Sequence, residues 1–346
     1  MYVAGALATR RLLVLTLAAT SLTVGGAAWA ARIQGSDQAE RLVGTPGPDS
    51  IFGHGGNDEI LGLGGNDLLD GGPGRDRLSG GAGSDRIWAA EDGARDAVAC
   101  GGGHDLVAAE LTDEVSPDCE TVVRQLSRDT LVAPGAQSQT QVEPASDSVG
   151  RTIVTAFQSD RYFDGGSGTI GFARSTDAGE TWRSGFLPGL TIYSSPPGTN
   201  LVATDSSVAY DAAHREWLVV NIGAGEDLWG IYVSRSRDGI RWSLPVAAIT
   251  GPPESFDKDW VTCDSWETSR FRGRCYVSYL DGDSGKIATI TSSDGGLTWS
   301  PPALPPGTVE PGVVNGAQPL VRPDGTLVVL YASTYSPSVL DDEMVA

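Results

Sequence analysis

Five aspartates recur every nine residues: Asp49, Asp58, Asp67, Asp76 and Asp85. Two positions after each stands an aliphatic residue, Ile51, Ile60, Leu69, Leu78 or Ile87, and glycines crowd the positions before it. Carboxylates at a fixed period are ligands for a hard divalent cation. Calcium takes about six to eight oxygens, drawn from carboxylates, backbone carbonyls and water. Glycine lets the carbonyls of a tight turn approach such an ion with no Cβ in the way. Zinc does not suit the same chain: it contains no Cys-x-x-Cys, and His54, His104 and His214 are its only histidines.

The elements that must hold these carboxylates are glycine-rich turns, each followed by a very short strand. Two nine-residue units make one coil of a parallel roll, with the aliphatic residue pointing inward. Odd and even turns then lie on opposite faces, so Asp49 stacks on Asp67, Asp67 on Asp85, and Asp58 on Asp76. Stacked carboxylates repel and short strands bury little area, which is why the coil calls for a cation. Five units hold this phase between Gly44 and Trp88. The pattern G-G-x-G-x-D-x-U-x resembles the RTX (haemolysin-type) calcium-binding repeats. The resemblance implies a β-roll with Ca²⁺ as cofactor, about three ions by the repeat geometry. The phase then slips, because Asp85 to Asp96 spans eleven residues and Asp96 to Asp105 nine. Asp105 is expected as a sixth ligand, whereas Asp96, Asp113 and Asp118 read as turn residues. The roll and its cap are expected over 44–127.

Charge narrows the partners. Lys and Arg number 24 against 44 Asp and Glu, a net charge of −20. Phosphate-rich partners need the opposite sign, so nucleic acid and acidic membrane surfaces are excluded as ligands. The first thirty residues carry Arg10 and Arg11, then the apolar run Leu12–Val24, then Ala28-Trp29-Ala30. A basic start, an apolar stretch too short to span a membrane and a small-x-small site describe a secretory signal cut after Ala30. The product is expected to be extracellular, with no membrane span after signal removal. Four cysteines remain for an oxidising compartment. Cys100–Cys119 and Cys263–Cys275 are the expected disulfides among three connectivities, the first stapling the cap.

Residues 128–141 lack periodicity, are polar toward their end with one Pro and one Gly, and read as a linker. Beyond it a longer repeat begins. GTIGFARSTDAGETW ends at Trp182, LWGIYVSRSRDGIRW at Trp242 and GKIATITSSDGGLTW at Trp299, spacings of 60 and 57 residues. Each segment is a strand, a tight acidic turn and an aromatic residue, preceded by another strand. Ser175–Trp182 and Ser292–Trp299 read S-x-D-x-G-x-T-W, and Ser236–Trp242 is one residue shorter. These turns resemble the Asp-boxes of sialidase-like β-propellers. The whole chain is therefore expected to be all-β, a parallel β-roll followed by sialidase-like propeller blades over 142–346. In that family the boxes are structural and lie away from the active site.

The sialidase resemblance implies three arginines for the substrate carboxylate, an acid/base and a Tyr–Glu pair. Arg161 and Asp164 stand where the family keeps an arginine and its acid/base aspartate. Where the family opens blade one with Arg-Ile-Pro, this chain reads Val142-Glu143-Pro144, and a glutamate there repels a carboxylate. Asp257, Lys258 and Asp259 are expected either at the central mouth or on a solvated loop. A closed sialidase ring needs roughly 340–360 residues, and about 205 follow the linker, so the chain reads as an incomplete ring. The first functional expectation is a secreted calcium-binding protein whose propeller recognises extracellular glycans or cell-envelope components. The second is an exo-sialidase or related glycosidase with a calcium-binding accessory module.

Overall fold

The computed structural model describes residues 30–90, 93–127, 129–130, 132–163, 165–304, 313–334 and 342–345. Of the expected signal only Ala30 falls among them, and Asp164 lies outside them. No helix among the described residues is long and apolar enough to cross a membrane. The chain forms two compact units, Met1–Ala108 with Thr112–Val123, and Ala109–Leu111 with Arg124–Ala346.

The first unit is a solenoid of eleven short strands: β1 (Arg32–Gln34), β2 (Arg41–Val43), β3 (Ser50–Phe52), β4 (Glu59–Gly64), β5 (Leu68–Asp70), β6 (Arg77–Ala82), β7 (Arg86–Ala89), β8 (Ala97–Gly102), β9 (Leu106–Glu110), β10 (Glu114–Val115) and β11 (Thr121–Gln125). Odd strands make one sheet in the order β1-β3-β5-β7-β9-β11, and even strands the other, β10-β8-β6-β4-β2. The pairings are parallel, and up to β7 they are in register at one coil per eighteen residues, as in Ile33↔Ile51, Ile51↔Leu69 and Leu69↔Ile87. The inward column is the predicted one: Ile51, Ile60, Leu69, Leu78 and Ile87 are fully buried. Each such side chain is worth about 1.5–3 kcal/mol of transfer free energy, and the strands are too short to bury much else. Outside, Arg41 and Glu59 pair across β2 and β4 at 2.8 Å.

Two expected boundaries move. The solenoid begins before Gly44, because β1 and β2 form its first coil although residues 31–43 lack the aspartate signature. The expected linker is strand from Ala136 onward. Here backbone pairing, Gln137↔Arg161 and Gln141↔Ser159, holds a polar edge strand that no apolar run announces.

The second unit is a series of antiparallel meanders. The first comprises β12 (Ala136–Val149), β13 (Thr152–Tyr162), β14 (Ser167–Ser175) and β15 (Arg183–Phe186); the second β16 (Val202–Asp211), β17 (Glu216–Ala224), β18 (Trp229–Ser236) and β19 (Val246–Gly251). One register pair, Ser167↔Ala203, links them. A third follows in β20 (Phe256–Cys263), β21 (Cys275–Asp281) and β22 (Lys286–Ser292), and a fourth in β23 (Val313–Val321), β24 (Leu327–Thr334) and β25 (Asp342–Val345). Apolar clusters fill the spaces between successive sheets. Val154, Ile170 and Phe172 meet Val208, Trp217 and Val219, while Leu218, Val220 and Ile222 meet Val261, Val277 and Ile290. Both expected disulfides are present, Cys100–Cys119 and Cys263–Cys275.

The acidic turns explain their own sequence. In the first, Ser175 Oγ accepts the Gly179 amide at 2.8 Å, Asp177 Oδ1 accepts the Thr181 amide at 2.9 Å, and Trp182 Nε1 donates to Gly179 O at 2.8 Å. The Thr181 hydroxyl, the Thr181 amide and the Ser175 hydroxyl hold the Asp177 carboxyl well below its ordinary range. The turn at Ser292–Trp299 repeats these bonds, with Asp294 accepting the Thr298 amide and hydroxyl. The shorter turn closes the same way, because Asp238 Oδ1 accepts the Arg241 amide and Oδ2 accepts Arg241 Nε, both at 2.8 Å. A guanidinium stands in for the missing threonine hydroxyl. Asp238→Ala is therefore expected to lower stability by about 1–2 kcal/mol. Arg241→Thr, restoring the sister chemistry, should stay within about 0.5 kcal/mol. Denaturant unfolding of the two variants checks the difference.

Candidate metal centre and a charged cluster between sheets

In the solenoid each aspartate stands at a turn where its strand begins, and its carboxylate reaches back one coil. Asp67 Oδ1 accepts the Asp49 amide at 2.7 Å, Asp85 Oδ1 the Asp67 amide at 2.8 Å, and Asp105 Oδ1 the Asp85 amide at 2.8 Å. On the other face Asp58 Oδ1 accepts the Glu40 amide and Asp76 Oδ1 the Asp58 amide, each at 2.8 Å. The expected stacks are thus real, but their direct link is carboxylate to amide. Asp49, Asp58, Asp67, Asp76, Asp85 and Asp105 are all at most 3% exposed, so these carboxyls sit in a dry column. On Asp58, Asp67 and Asp85 the amide bond does not offset desolvation.

The second carboxylate oxygen is the informative one. Oδ2 of Asp58, Asp67, Asp85 and Asp105 is buried and has no hydrogen-bond partner. On Asp58, Asp67 and Asp85 it lies against the glycine five residues earlier, Gly53, Gly62 and Gly80. A Cβ on Gly53 would come within 2.6 Å of Asp58 Oδ2 and 2.4 Å of Gly71 O, and one on Gly62 within 2.3 Å of Asp67 Oδ2 and 2.5 Å of Gly80 O. Glycine is required at these positions so that a carboxylate oxygen and a carbonyl of the next coil stand side by side. A carboxylate oxygen and a carbonyl oxygen side by side are the ligand types a hard cation takes. Among the described residues no three His, Cys, Asp or Glu side chains gather at one point, so a cation here depends on backbone carbonyls as well as single carboxylates.

Burial raises the Asp67 carboxyl to about 6, with the Asp85 and Asp49 carboxylates adding to the rise and the Asp49 amide opposing it. Burial likewise raises Asp58 and Asp85.

The ladders run past the phase slip. Asp96 Oδ1 accepts the Asp76 amide at 2.7 Å, Asp113 Oδ1 the Asp96 amide at 3.0 Å, and Glu120 Oε2 the Asp105 amide at 2.9 Å. Asp96 and Asp113 therefore act as rungs as well as turn residues. Their signal was the D-x-U triplet, kept in Asp96-Ala97-Val98 and Asp113-Glu114-Val115 although the nine-residue spacing is lost.

In the second unit Arg161 lies at the end of β13. Its Nη1 donates to Gln158 Oε1 at 2.7 Å and stands 3.6 Å from Glu143 Oε1. Gln158 Nε2 bonds Glu143 Oε2 and reaches Thr204 Oγ1 at 3.1 Å. Glu143 belongs to a pattern that spacing alone did not disclose. The first strand of every meander bulges, with register shifts at Val142/Ala145, Thr204/Ser207, Asp257/Trp260 and Asn315/Gln318. At each bulge one residue takes left-handed backbone: Glu143 (φ 52°), Asp205 (φ 50°), Lys258 (φ 51°) and Gly316 (φ 69°). Non-glycine residues rarely adopt that conformation, and bulges re-aim side chains. Lys258 Nζ donates to Asp205 Oδ1 at 2.8 Å. Burial pushes that ammonium down, but the Asp205 bond and charge prevail and leave it raised. Asp259 beside it is 2% exposed, and neither of its carboxyl oxygens has a partner within hydrogen-bond geometry. Burial, reinforced by Asp205, holds that carboxyl well above its ordinary range.

The RTX calcium-binding nonapeptide repeat family matches residues 34–69 and 61–92, and this family binds calcium. Xyloglucanase Xgh74A of Acetivibrio thermocellus is 29% identical over 180 residues, 47% of this chain and 19% of the relative. A xyloglucanase of Paenibacillus sp is 27% identical over 181 residues, 47% of this chain and 16% of the relative. The chain thus spans less than a fifth of the length of these relatives. Among solved structures, Hadza microbial sialidase Hz136 aligns with a TM-score of 0.41 at 19% identity, over 63% of this chain and 46% of that one. The Penicillium chrysogenum alpha-L-arabinanase aligns with a TM-score of 0.42 at 14% identity, over 59% and 61%.

The raised carboxyls fix a sign. Between the ordinary aspartate value near 3.8 and the folded value of about 6, folded Asp67 holds more protons than the unfolded chain. Without calcium, the contribution of Asp67 to the solenoid's stability therefore falls as pH rises through that window. With saturating calcium the sign must reverse, because the ion binds the ionised form. Thermal unfolding in chelator and in calcium, from pH 4 to 7, checks both slopes.

Proposed function

We propose that this chain is a secreted calcium-binding protein whose second unit recognises extracellular glycans, with an uncharged glycan as ligand. Asp49, Asp58, Asp67, Asp76, Asp85 and Asp105 hold the calcium together with turn carbonyls. The carboxylates supply charge, and the glycines keep the space beside them free of side chains. Calcium bound there neutralises the buried column and supplies the partner that Oδ2 of Asp58, Asp67, Asp85 and Asp105 lacks. Residues 1–30 act as the export signal, and 142–346 form propeller blades.

The observation that carries the ligand class is the environment of Arg161. Its guanidinium is engaged by Gln158 and Glu143, so it is not free to clamp a substrate carboxylate. Asp205, Asp257 and Asp259 surround Lys258. A carboxylated sugar would meet mainly carboxylates, whereas hydroxyl groups find acceptors and donors here. The xyloglucanase relatives, which align over 180 residues, accord with a neutral glycan.

The second reading is an exo-sialidase or related glycoside hydrolase using Arg161 and Asp164. It is favoured by the Asp-box turns and by the place of Arg161 at the end of β13 with Asp164 close behind it in sequence. Titration calorimetry with neutral xyloglucan oligosaccharides and with sialyllactose separates the two. The proposal expects heat with the neutral chain alone, weakened at least tenfold by Asp205→Ala. Binding or hydrolysis of the sialoside that Arg161→Ala abolishes would establish the second reading instead.

A further inference from the structure

We infer that export cleavage builds the first rung of the carboxylate ladder: cutting after Ala30 turns the Ala31 amide into an ammonium that pairs with Asp49. The inference rests on reading residues 1–30 as a signal, and is independent of the glycan reading.

Two separate observations meet at one residue. The small-x-small sequence Ala28-Trp29-Ala30 places the cut before Ala31. The structure places Ala31 N 2.6 Å from Asp49 Oδ1. Ala31 stands eighteen residues before Asp49, as Asp49 stands before Asp67, so it occupies the rung position of the coil above. Its carbonyl accepts the Ser50 amide at 2.8 Å, as Asp49 O accepts that of Leu68 at 2.9 Å. The new terminus is therefore already held in the ladder's register. The other face starts from the Glu40 amide on Asp58, an internal peptide that cleavage leaves unchanged.

The chemistry is a simple hydrolysis. An export peptidase adds one water across the Ala30–Ala31 bond, leaving a carboxylate on Ala30 and an amine on Ala31 that takes up a proton near neutral pH. In the precursor Asp49 accepts from a neutral amide; in the mature chain it accepts from a cation. Asp49 is 3% exposed, and a charge-assisted bond at such a site is about twice as strong as a neutral one. The uncut chain thus has the weaker first coil, and the solenoid gains stability on release from the signal.

The test uses the chain from Ala31 to Ala346 in excess calcium, with its terminus free or Nα-acetylated, each with Asp49 and with Asp49→Asn. Acetylation keeps the N–H and removes the charge. It is expected to lower the solenoid's folding constant roughly fivefold with Asp49 and less than twofold with Asp49→Asn. Equal effects in both backgrounds, or none in either, would overturn the ion pair. A chain starting one residue earlier, at Ala30, moves the charge away and should reproduce the acetylation loss; if Asp49→Asn fails to fold, this chain decides. Terminal sequencing of the exported protein tests the cut itself. A start at Ala31 supports the inference. Any other start overturns the cut after Ala30 and with it the maturation step, whatever the acetylation result says of the contact.

Discussion

The solenoid depends on a carboxylate that is only half satisfied. One oxygen of each rung accepts an amide from the coil before it, which sets the register. On Asp58, Asp67, Asp85 and Asp105 the other oxygen is buried with no hydrogen-bond partner. Amide bonds alone leave a column of desolvated negative charge, and burial accordingly lifts Asp67 to about 6. A short strand contributes one buried aliphatic side chain per half-coil, too little to offset several such carboxyls. A cation with a preference for oxygen removes the repulsion and the orphaned acceptors together. The glycine repeat follows from this, because a Cβ at Gly53 or Gly62 would occupy the place of the oxygens that must meet.

The second unit solves a different problem with the same residue type. In its turns Asp177, Asp238 and Asp294 are exposed enough to stay ionised and are saturated with donors, so they close hairpins without a metal. At the bulged first strands of the meanders the balance shifts again. Glu143, Asp205 and Lys258 sit in left-handed backbone, a conformation that costs of order 1–3 kcal/mol per residue. Such strain persists where the surrounding structure fixes the backbone. Here that strain sets Lys258 against Asp205 and leaves Asp259 buried beside them. An aspartate's surroundings therefore decide whether it acts as metal ligand, turn cap or buried acid.

Much of this was legible in the residues. The nine-residue phase of Asp and Ile/Leu gave the coil, its inward column and the stacked pairs, because each repeat maps onto one local structure. The tryptophan spacing gave the meanders, since each acidic turn closes on its own side chains. The starting coil at β1 and β2 was hidden, for its residues contribute amides and any sequence has those. The early part of β12 was hidden for a like reason: it is a polar edge strand held by backbone pairing. Asp96 and Asp113 were readable as rungs only through the D-x-U triplet, once fixed spacing was abandoned. The cluster at Glu143, Asp205 and Lys258 could not be read from spacing, because a bulge moves a side chain by backbone dihedrals that composition does not record.

Hydrogen exchange at the amides of Asp49, Asp58, Asp67 and Asp85, with calcium and after chelation, tests the central claim most directly. These amides donate to the ladder carboxylates. If calcium is what makes the half-satisfied column stable, they are protected with the ion and exchange near unfolded rates without it, while the β17 and β21 amides keep their protection in both. Ladder amides that stay equally protected after chelation would contradict the account.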